Sequence, residues 1–215
     1  MTVLLLHAFP LDERMWDPQR DALRDHEVHA PRLYGRGQTM AEWAESVAGE
    51  TDGELAVVGA SMGGYCALAL ARLFPDRMRG LLLVGARPDA DSPERRAGRA
   101  DTIDLIRREG ADGLWASMEP KLFQDRSKAD QQLEFRDPER LVEAVEAIRD
   151  RADSTDVARS LAGRARFVVG EFDPFVSATE LNGFAVQEIA GAGHLVNLEQ
   201  PDVFNAALRD FLADV

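Results

Sequence analysis

Residues 57–67 read V-V-G-A-S-M-G-G-Y-C-A, where a β-branched apolar run breaks into glycines and resumes as a helix-forming segment. Ser61 stands at the break, with Gly59 and Gly63 two residues away on either side. A chain that turns sharply from strand to helix brings neighbouring Cβ positions together, and glycine has no Cβ. The stretch therefore predicts a strand, a tight turn with an exposed serine, and a helix whose first N–H groups face outward.

The pattern G-x-S-x-G is weak evidence on its own, because a motif of common residues also arises by composition. Its context is more specific. Residues 55–58 form an apolar strand pattern directly before the turn, and residues 62–74 carry few β-branched residues and no proline. Strand, turn and helix are all present, which favours a nucleophilic serine over an ordinary turn serine.

Length and charge limit the classes of function. The chain has 215 residues and no long polar linker, which predicts one domain with one sizeable core. Its formal net charge is −13, its pI is near 4.8 and its basic residues are scattered. This balance disfavours binding of nucleic acid or of an anionic membrane. We expect a small uncharged molecule as partner, and a monomer or homodimer.

The expected location is the cytoplasm. Cys66 is the only cysteine, so an intrachain disulfide is impossible. Its thiol is expected to pack on the buried face of the helix that follows Ser61. Residues 3–6 lack a basic leader and a small-residue cleavage site, which indicates a strand rather than a signal peptide. No apolar run approaches the length of a transmembrane helix.

Strand and helix patterns alternate along the first 86 residues. Residues 2–6, 55–60 and 78–86 predict buried strands, with a weaker strand at residues 26–33. Residues 15–23 are compatible with a helix. Residues 40–50 predict a helix whose apolar face carries Met40, Trp43, Ala44, Val47 and Ala48. Repeated strand–helix–strand units indicate a parallel sheet with right-handed crossovers.

The pattern then changes to helices alone. Ser92-Pro93-Glu94 predicts a helix start and Gly110 a helix stop. A second start at Asp137-Pro138-Glu139 opens a helix with an apolar face of Leu141, Val142, Val145 and Ile148. Residues 87–163 are therefore predicted to be a helical insertion, and residues 1–86 and 164–215 the core.

Strand patterns return after the insertion, at residues 166–169 and 184–189. Residues 201–212 predict a closing helix with an apolar face of Val203, Ala207, Leu208 and Phe211. The predicted fold class is α/β, with a mostly parallel sheet of about six strands flanked by helices.

Candidate partners of Ser61 follow the last two strands. Asp173 lies in G-E-F-D-P-F and His194 in G-A-G-H-L-V-N-L-E-Q-P. Parallel sheets gather their chemistry at the carboxyl edge, and the order serine, acid, histidine is that of a hydrolase triad. Alternative acids are Glu171, Asp89 and Asp91. The histidines at positions 7, 26 and 29 are less suited, since two lie on a strand among charged residues and one lies in the first loop.

These motifs, with H-A-F-P-L-D near the start and R-L-Y-G-R-G before the second helix, span nearly the whole chain. In this order the chain resembles the α/β-hydrolase fold family, in its group of small serine esterases, enol-lactonases and haloperoxidase-like enzymes. The resemblance implies a triad of Ser61, Asp173 and His194 and an oxyanion hole formed by the backbone N–H groups of Phe9 and Met62. It also implies a helical lid before the last two strands, and a sheet that lacks the N-terminal strand pair common in the family.

Several consequences follow from the resemblance. Relatives that dehalogenate haloalkanes or open epoxides have an aspartate where this chain has Ser61, so those reactions are excluded. We expect no metal and no cofactor. The residues expected to line the substrate pocket are Trp115, Met118, Phe123, Val176 and Leu195, although lid packing on the core would need similar residues at positions 115 and 118.

The predicted function is that of a serine carboxylesterase acting on a small, mainly apolar ester, lactone or thioester through an acyl-enzyme. Enol-lactone hydrolysis, carbon–carbon bond hydrolysis and cofactor-free perhydrolysis use the same triad and remain open. A protein of a different class, a hydrolase-like receptor that captures a ligand without turning it over, would also keep the three residues.

Overall fold

The computed structural model describes residues 1–129, 135–161 and 163–215. Six strands form one sheet in the order β2-β1-β3-β4-β5-β6, and every neighbouring pair is parallel. The sheet confirms the predicted α/β class. Its strands are β1 Thr2–Leu6, β2 Glu27–His29, β3 Leu55–Ala60, β4 Met78–Val84, β5 Ala165–Gly170 and β6 Ala185–Ile189.

Helices cover both faces of the sheet. They are α1 Met40–Ala48, α2 Met62–Leu73, α3 Pro93–Leu122, α4 Pro138–Arg149, α5 Thr155–Ser160, α6 Val196–Glu199 and α7 Pro201–Ala213. Residues 13–23 form two short 3₁₀ helices rather than one α-helix. Pro18 stands inside the first of them, and proline removes a backbone donor that an α-helix would need.

Alternating strand residues supply two apolar cores, one on each face. One core joins the strands to α1, α2 and α4, and contains Leu4, Leu6, Val57, Leu81 and Phe167. The other joins them to residues 13–23 and α7, and contains Val3, Leu5, Val58, Leu82 and Val168. The continuous apolar runs in the sequence thus reflect a sheet that is covered on both sides.

The strand order changes direction at β1. The chain goes from β1 to β2 on one side, and β3 then pairs with the other side of β1 before the chain continues to β4. Loops after β1 and β3 leave in opposite directions, which opens a crevice at the carboxyl edge of the sheet. The loop containing Phe9 and the turn containing Ser61 both border this crevice.

A helical segment separates β4 from β5, as predicted, and comprises α3, α4 and α5. Residues 130–134 and 162 of the predicted insertion lie outside the described residues. Ser92 and Asp137 cap α3 and α4 by accepting backbone hydrogen bonds. Gly110 has a φ of 67° and interrupts α3, so the predicted stop is a break between two helical halves.

Two expectations for the outer elements were wrong in detail. β2 is three residues long and is an edge strand, so the predicted strand at residues 26–33 is mostly loop. Val203 is 45% exposed, whereas Phe204 is fully buried in α7. The predicted face is correct at Ala207, Leu208 and Phe211, and Phe204 takes the buried place expected for Val203 because it packs against Trp16 across the second core.

Candidate active site

Ser61 lies in the turn between β3 and α2. Its φ is 48° and its ψ is −111°, a conformation that L-residues rarely adopt. The Ser61 N–H donates to the carbonyl of Val84 in β4, at 2.8 Å, which fixes the turn to the sheet. A Cβ added at Gly59 would lie 2.6 Å from the carbonyl oxygen of Gly63, so the glycine spacing has the predicted steric cause.

Asp173 and His194 form a hydrogen-bonded pair with almost no solvent exposure. His194 Nδ1 lies 2.8 Å from Asp173 Oδ2, and the two side chains are 3% and 0% exposed. The other oxygen, Oδ1, accepts hydrogen bonds from the backbone N–H groups of Phe175 and Val176. The carboxylate is therefore held on both oxygens, and it orients the imidazole so that Nε2 is the nitrogen left for chemistry.

The loop that carries His194 is anchored by Glu199. This buried carboxylate accepts hydrogen bonds from the backbone N–H groups of Gly193, at 2.6 Å, and of Gln124 and Asp125, each at 2.8 Å. Hydrogen bonds to an ionised acceptor are stronger than neutral ones. Glu199 thus fixes the histidine loop to the end of α3, a role that its place in the last sequence motif did not reveal.

Ser61 and His194 open onto the same cavity, which has a volume of about 30 Å³. Its other walls come from the loop after β1, from α2, from the loop after β5 and from α3 and α4 of the insertion. The described lining consists of Phe9, Ser61, Tyr65, Arg99, Met118, Ile148, Phe175 and His194. The structure therefore brings together two of the three predicted side chains at one surface, with Asp173 directly behind His194.

Of the five residues expected in the substrate pocket, Met118 lines the cavity. Trp115 is half-buried and packs between the two cores. The other three are core residues: Phe123 is 3% exposed, Val176 is 2% exposed and Leu195 is 1% exposed. A residue close in sequence to the motifs can line the cavity or lie in the core beside it. Both places are apolar, so sequence alone does not tell them apart.

The two predicted oxyanion donors lie on opposite sides of the crevice. Phe9 follows β1 and joins Pro10 through a cis peptide bond, and Met62 is the first residue of α2. The N–H groups of both residues donate no hydrogen bond to another described residue. An N–H at the first position of a helix has no intrahelical acceptor, and it also carries the positive end of the helix dipole.

The alternative acids are engaged elsewhere. Glu171 accepts a hydrogen bond from the backbone N–H of Gly191, at 2.9 Å. Asp89 and Asp91 are held in ion pairs with neighbouring arginines. The structure places Asp173, and none of these three, beside His194.

His7 is a buried structural residue of the first loop. Its Nε2 accepts a hydrogen bond from the N–H of Leu33, at 2.9 Å, and its Nδ1 lies 3.1 Å from the carbonyl oxygen of Ala8. Burial lowers the pKa of His7 to about 4, so the imidazole is neutral and Nδ1 carries the proton that Ala8 accepts. His29 contacts Glu50 at the surface instead.

Cys66 and possible metal ligands are the remaining reactive groups. Cys66 is fully buried in α2, and burial raises the pKa of its thiol to about 12, which leaves it a packing residue. Within residues 1–129, 135–161 and 163–215, no three His, Cys, Asp or Glu side chains cluster as a metal site would require. In the same ranges, every helix is too short or too polar to cross a bilayer.

Four lining residues were missed by sequence reasoning: Tyr65, Arg99, Ile148 and Phe175. The ring of Phe175 meets the imidazole of His194 edge-on, at a centroid distance of 4.7 Å. Its place in the motif around Asp173 was a signal. Arg99 and Ile148 gave none, since an arginine on a charged helix and an isoleucine on an apolar stripe have the same pattern wherever the helix docks.

Comparison with known proteins agrees with this architecture. The sequence model of the alpha/beta hydrolase family matches residues 3–207. The pimeloyl-(acyl-carrier protein) methyl ester esterase of Aromatoleum aromaticum is 32% identical over 93 residues, which cover 40% of this chain and 37% of that protein. The matched stretch thus spans little more than a third of the length of this curated relative.

Solved structures resemble the chain over almost its full length. A thermophilic esterase from Thermogutta terrifontis, solved with malate bound, is 32% identical, with a TM-score of 0.87 over 99% of this chain and 89% of that one. The enol-lactonase from Burkholderia xenovorans LB400 is 26% identical, with a TM-score of 0.83 over 99% of this chain and 91% of that one. This chain belongs to the alpha/beta hydrolase family.

Proposed function

We propose that this chain is a serine hydrolase of the carboxylesterase type, which cleaves a small, mainly apolar ester, lactone or thioester through an acyl-enzyme. Membership of the alpha/beta hydrolase family and the esterase relatives support hydrolase activity. One observation carries the finer proposal. His194, hydrogen-bonded to the buried Asp173, lines the same cavity as Ser61, and Ser61 lies in a turn whose backbone is held in a rare conformation.

In the proposed reaction, Ser61 Oγ attacks the carbonyl carbon while His194 Nε2 accepts the hydroxyl proton. The oxyanion that forms is held by the N–H groups of Phe9 and Met62, and loss of one such donor lowers turnover by about 10²- to 10³-fold in comparable sites. The bond to the leaving alcohol breaks as His194 returns the proton to it. Water then attacks the acyl-enzyme by the same route, which releases the acid and restores Ser61.

We also propose that the helical insertion, residues 87–163, acts as a lid over a core made of residues 1–86 and 164–215. Three residues of the cavity wall, Arg99, Met118 and Ile148, come from the insertion. Substrate choice then depends on elements that contribute no member of the proposed triad. The proposed location is the cytoplasm, in keeping with a single, buried cysteine.

The test is turnover of p-nitrophenyl acetate and butyrate. We expect many turnovers per chain, abolished by Ser61→Ala and retained by Ser46→Ala, which changes an exposed serine on α1. A fluorophosphonate should add once, at Ser61. A single burst of p-nitrophenol without turnover favours the receptor, and labelling at another residue contradicts the assignment. Comparing kcat/KM across esters, lactones, thioesters and diketones, with peroxide added in one arm, separates the remaining reactions.

A further inference from the structure

Arg99 lies in the wall of the proposed active site. It is on the first half of α3 and lines the cavity shared by Ser61 and His194. Its side chain is 27% exposed, and no other arginine or lysine belongs to the described lining. The remaining walls are mainly apolar, with Met118, Ile148 and Phe175 among them. A partly buried guanidinium at such a place is incompletely solvated, and its free donors attract an anion.

The position of Arg99 is fixed from behind by a buried carboxylate. Its Nε lies 3.1 Å from Oδ2 of Asp91, and the Asp91 side chain is 0% exposed. This contact occupies one edge of the guanidinium. The two terminal Nη groups donate no hydrogen bond to any described residue, so they remain available as a pair of parallel donors.

Asp91 does not neutralise Arg99, because other arginines share it. Arg151 Nη1 lies 2.7 Å from Asp91 Oδ1, and Arg95 Nε lies 3.4 Å from the same oxygen. The guanidinium of Arg151 also stacks 4.0 Å above the ring of Tyr65, another residue of the cavity wall. Three cations therefore meet one buried carboxylate directly beside the proposed active site.

The wider cluster adds a fourth cation and two more acids. Arg87 pairs with Asp89 and Glu180, and Asp89 also pairs with Arg95. Although burial opposes it, hydrogen bonds from Arg87 and Arg95 hold the pKa of Asp89 below its usual range, so this acid stays ionised. Within these ion pairs, four arginines face three carboxylates. In a chain with a net charge of −13, a cluster of arginines at the cavity wall favours a negatively charged ligand there.

We propose that Arg99 binds a carboxylate carried by the substrate, so that the physiological substrate is a small ester or lactone with one free carboxylate group. A planar guanidinium with two parallel donors matches the two oxygens of a carboxylate. A phosphate monoester would bring a further oxygen and a second negative charge, for which the described lining offers no second cation. This inference rests on the proposed function and adds to it the charge of the substrate.

Two series of methyl or acetyl esters test the inference. In the first, monomethyl succinate, glutarate and adipate are compared with methyl esters in which a carboxamide replaces the carboxylate. In the second, acetoxyacetate is compared with acetoxyacetamide, which moves the charge to the alcohol side. We expect kcat/KM to be at least tenfold higher for the carboxylate partner in one series, because only that partner pairs with Arg99.

Three variants separate the effect of Arg99 from the effect of removing any one positive charge. Arg99→Gln should lower the carboxylate-to-carboxamide ratio at least tenfold, and Arg99→Lys, which keeps the charge beside Asp91, should retain part of it. Arg108→Gln is the matched control, since Arg108 is an exposed arginine on the same helix, and it should keep the full ratio. Thermal melting identifies variants that fail to fold. If Arg99→Gln does not fold, the carboxylate-to-carboxamide ratio of Arg99→Lys tests the proposal instead.

The outcomes distinguish the two proposals. Hydrolysis that depends on Ser61 but shows no preference in either series, or a preference that survives in Arg99→Gln, overturns the role of Arg99 and leaves the proposed function intact. Absence of any Ser61-dependent hydrolysis overturns the proposed function. In that case calorimetric binding of monomethyl glutarate to Ser61→Ala still reports on Arg99: binding that the added Arg99→Gln change abolishes supports the site, and no binding overturns it.

Discussion

A Cβ atom added at Gly63, in the first turn of α2, would collide with the carbonyl oxygen of Leu6 at the end of β1. The helix that begins beside Ser61 therefore rests directly on the backbone of the neighbouring strand. This contact fixes the height of the Ser61 turn above the sheet.

Gly63→Ala should destabilise the protein by about 2–4 kcal/mol, since a methyl group cannot fit against fixed backbone without moving α2. Gly98→Ala is the control, because nothing lies within 4 Å of a Cβ added there and the residue is inside α3. It should stabilise the protein by about 0.5–1 kcal/mol. Urea denaturation measures both, and equal stability of Gly63→Ala and the wild type would contradict the expected clash.

Asp173→Asn should lower kcat by about 10⁴-fold, the loss measured for this change in a serine protease triad. An amide that donates to Nδ1 selects the wrong tautomer of His194, and it cannot stabilise the imidazolium. Glu171→Gln is the matched control two residues away, and it should stay within about threefold of wild type. The measurement is steady-state hydrolysis of p-nitrophenyl butyrate, and a larger loss in Glu171→Gln would reassign the acid.

Ser61→Gly and Ser61→Ala should both be inactive but should differ in stability. At a φ of 48° an L-residue is strained and glycine is not. We expect the glycine variant to be more stable than the alanine variant by about 1 kcal/mol, although glycine is the more flexible residue in the unfolded chain. Parallel urea titrations give the difference, and a more stable alanine variant would show that the turn is not strained.

His7 should make the protein acid-sensitive. Its pKa is about 4 in the folded state and near 6.5 in the unfolded state, so between these values the unfolded chain binds more protons. The stability that comes from neutral His7 is therefore complete above pH 6.5 and is lost as the pH falls towards 4. The loss amounts to roughly 3 kcal/mol.

The pH dependence is measured by urea unfolding at several pH values from 7.5 to 4. His7→Gln can still accept a hydrogen bond from Leu33 but does not titrate, so its stability should fall less steeply over this range than that of the wild type. Parallel curves for the two proteins would assign the acid sensitivity to carboxylates instead.

Much of the fold was predictable because its signals are local. Uninterrupted apolar runs mark strands covered on both faces, and the caps at Ser92 and Asp137 mark helix starts by a hydrogen bond made within a few residues. The face of α7 was harder. Val203 and Phe204 are adjacent and both apolar, and only the position of Trp16 across the second core decides which one is buried.

The candidate site was predictable where sequence order follows sheet order. Asp173 and His194 come after consecutive parallel strands, so their convergence follows from topology alone. Apart from Met118, the part of the cavity wall that comes from the insertion was not predictable, because it depends on how the insertion docks. Arg99 on a charged helix reads as a solvated residue, and its contact with the cavity exists only in three dimensions.

The direct pairing of β4 with β5, with Leu81 opposite Ala165, means that the helical segment leaves and re-enters the sheet without opening a gap between strands. Exchanging that segment for one of another length or charge would preserve all five strand pairs. Under the proposed function, the triad lies on the core, while Arg99 and Ile148 lie on parts of the insertion that do not hold the histidine loop; among the described residues of the insertion, only the end of α3 is bonded to that loop. New ligand preferences can then evolve by substitutions in the first half of α3 and in α4, provided that the end of α3 keeps its hydrogen bonds to the loop that carries His194.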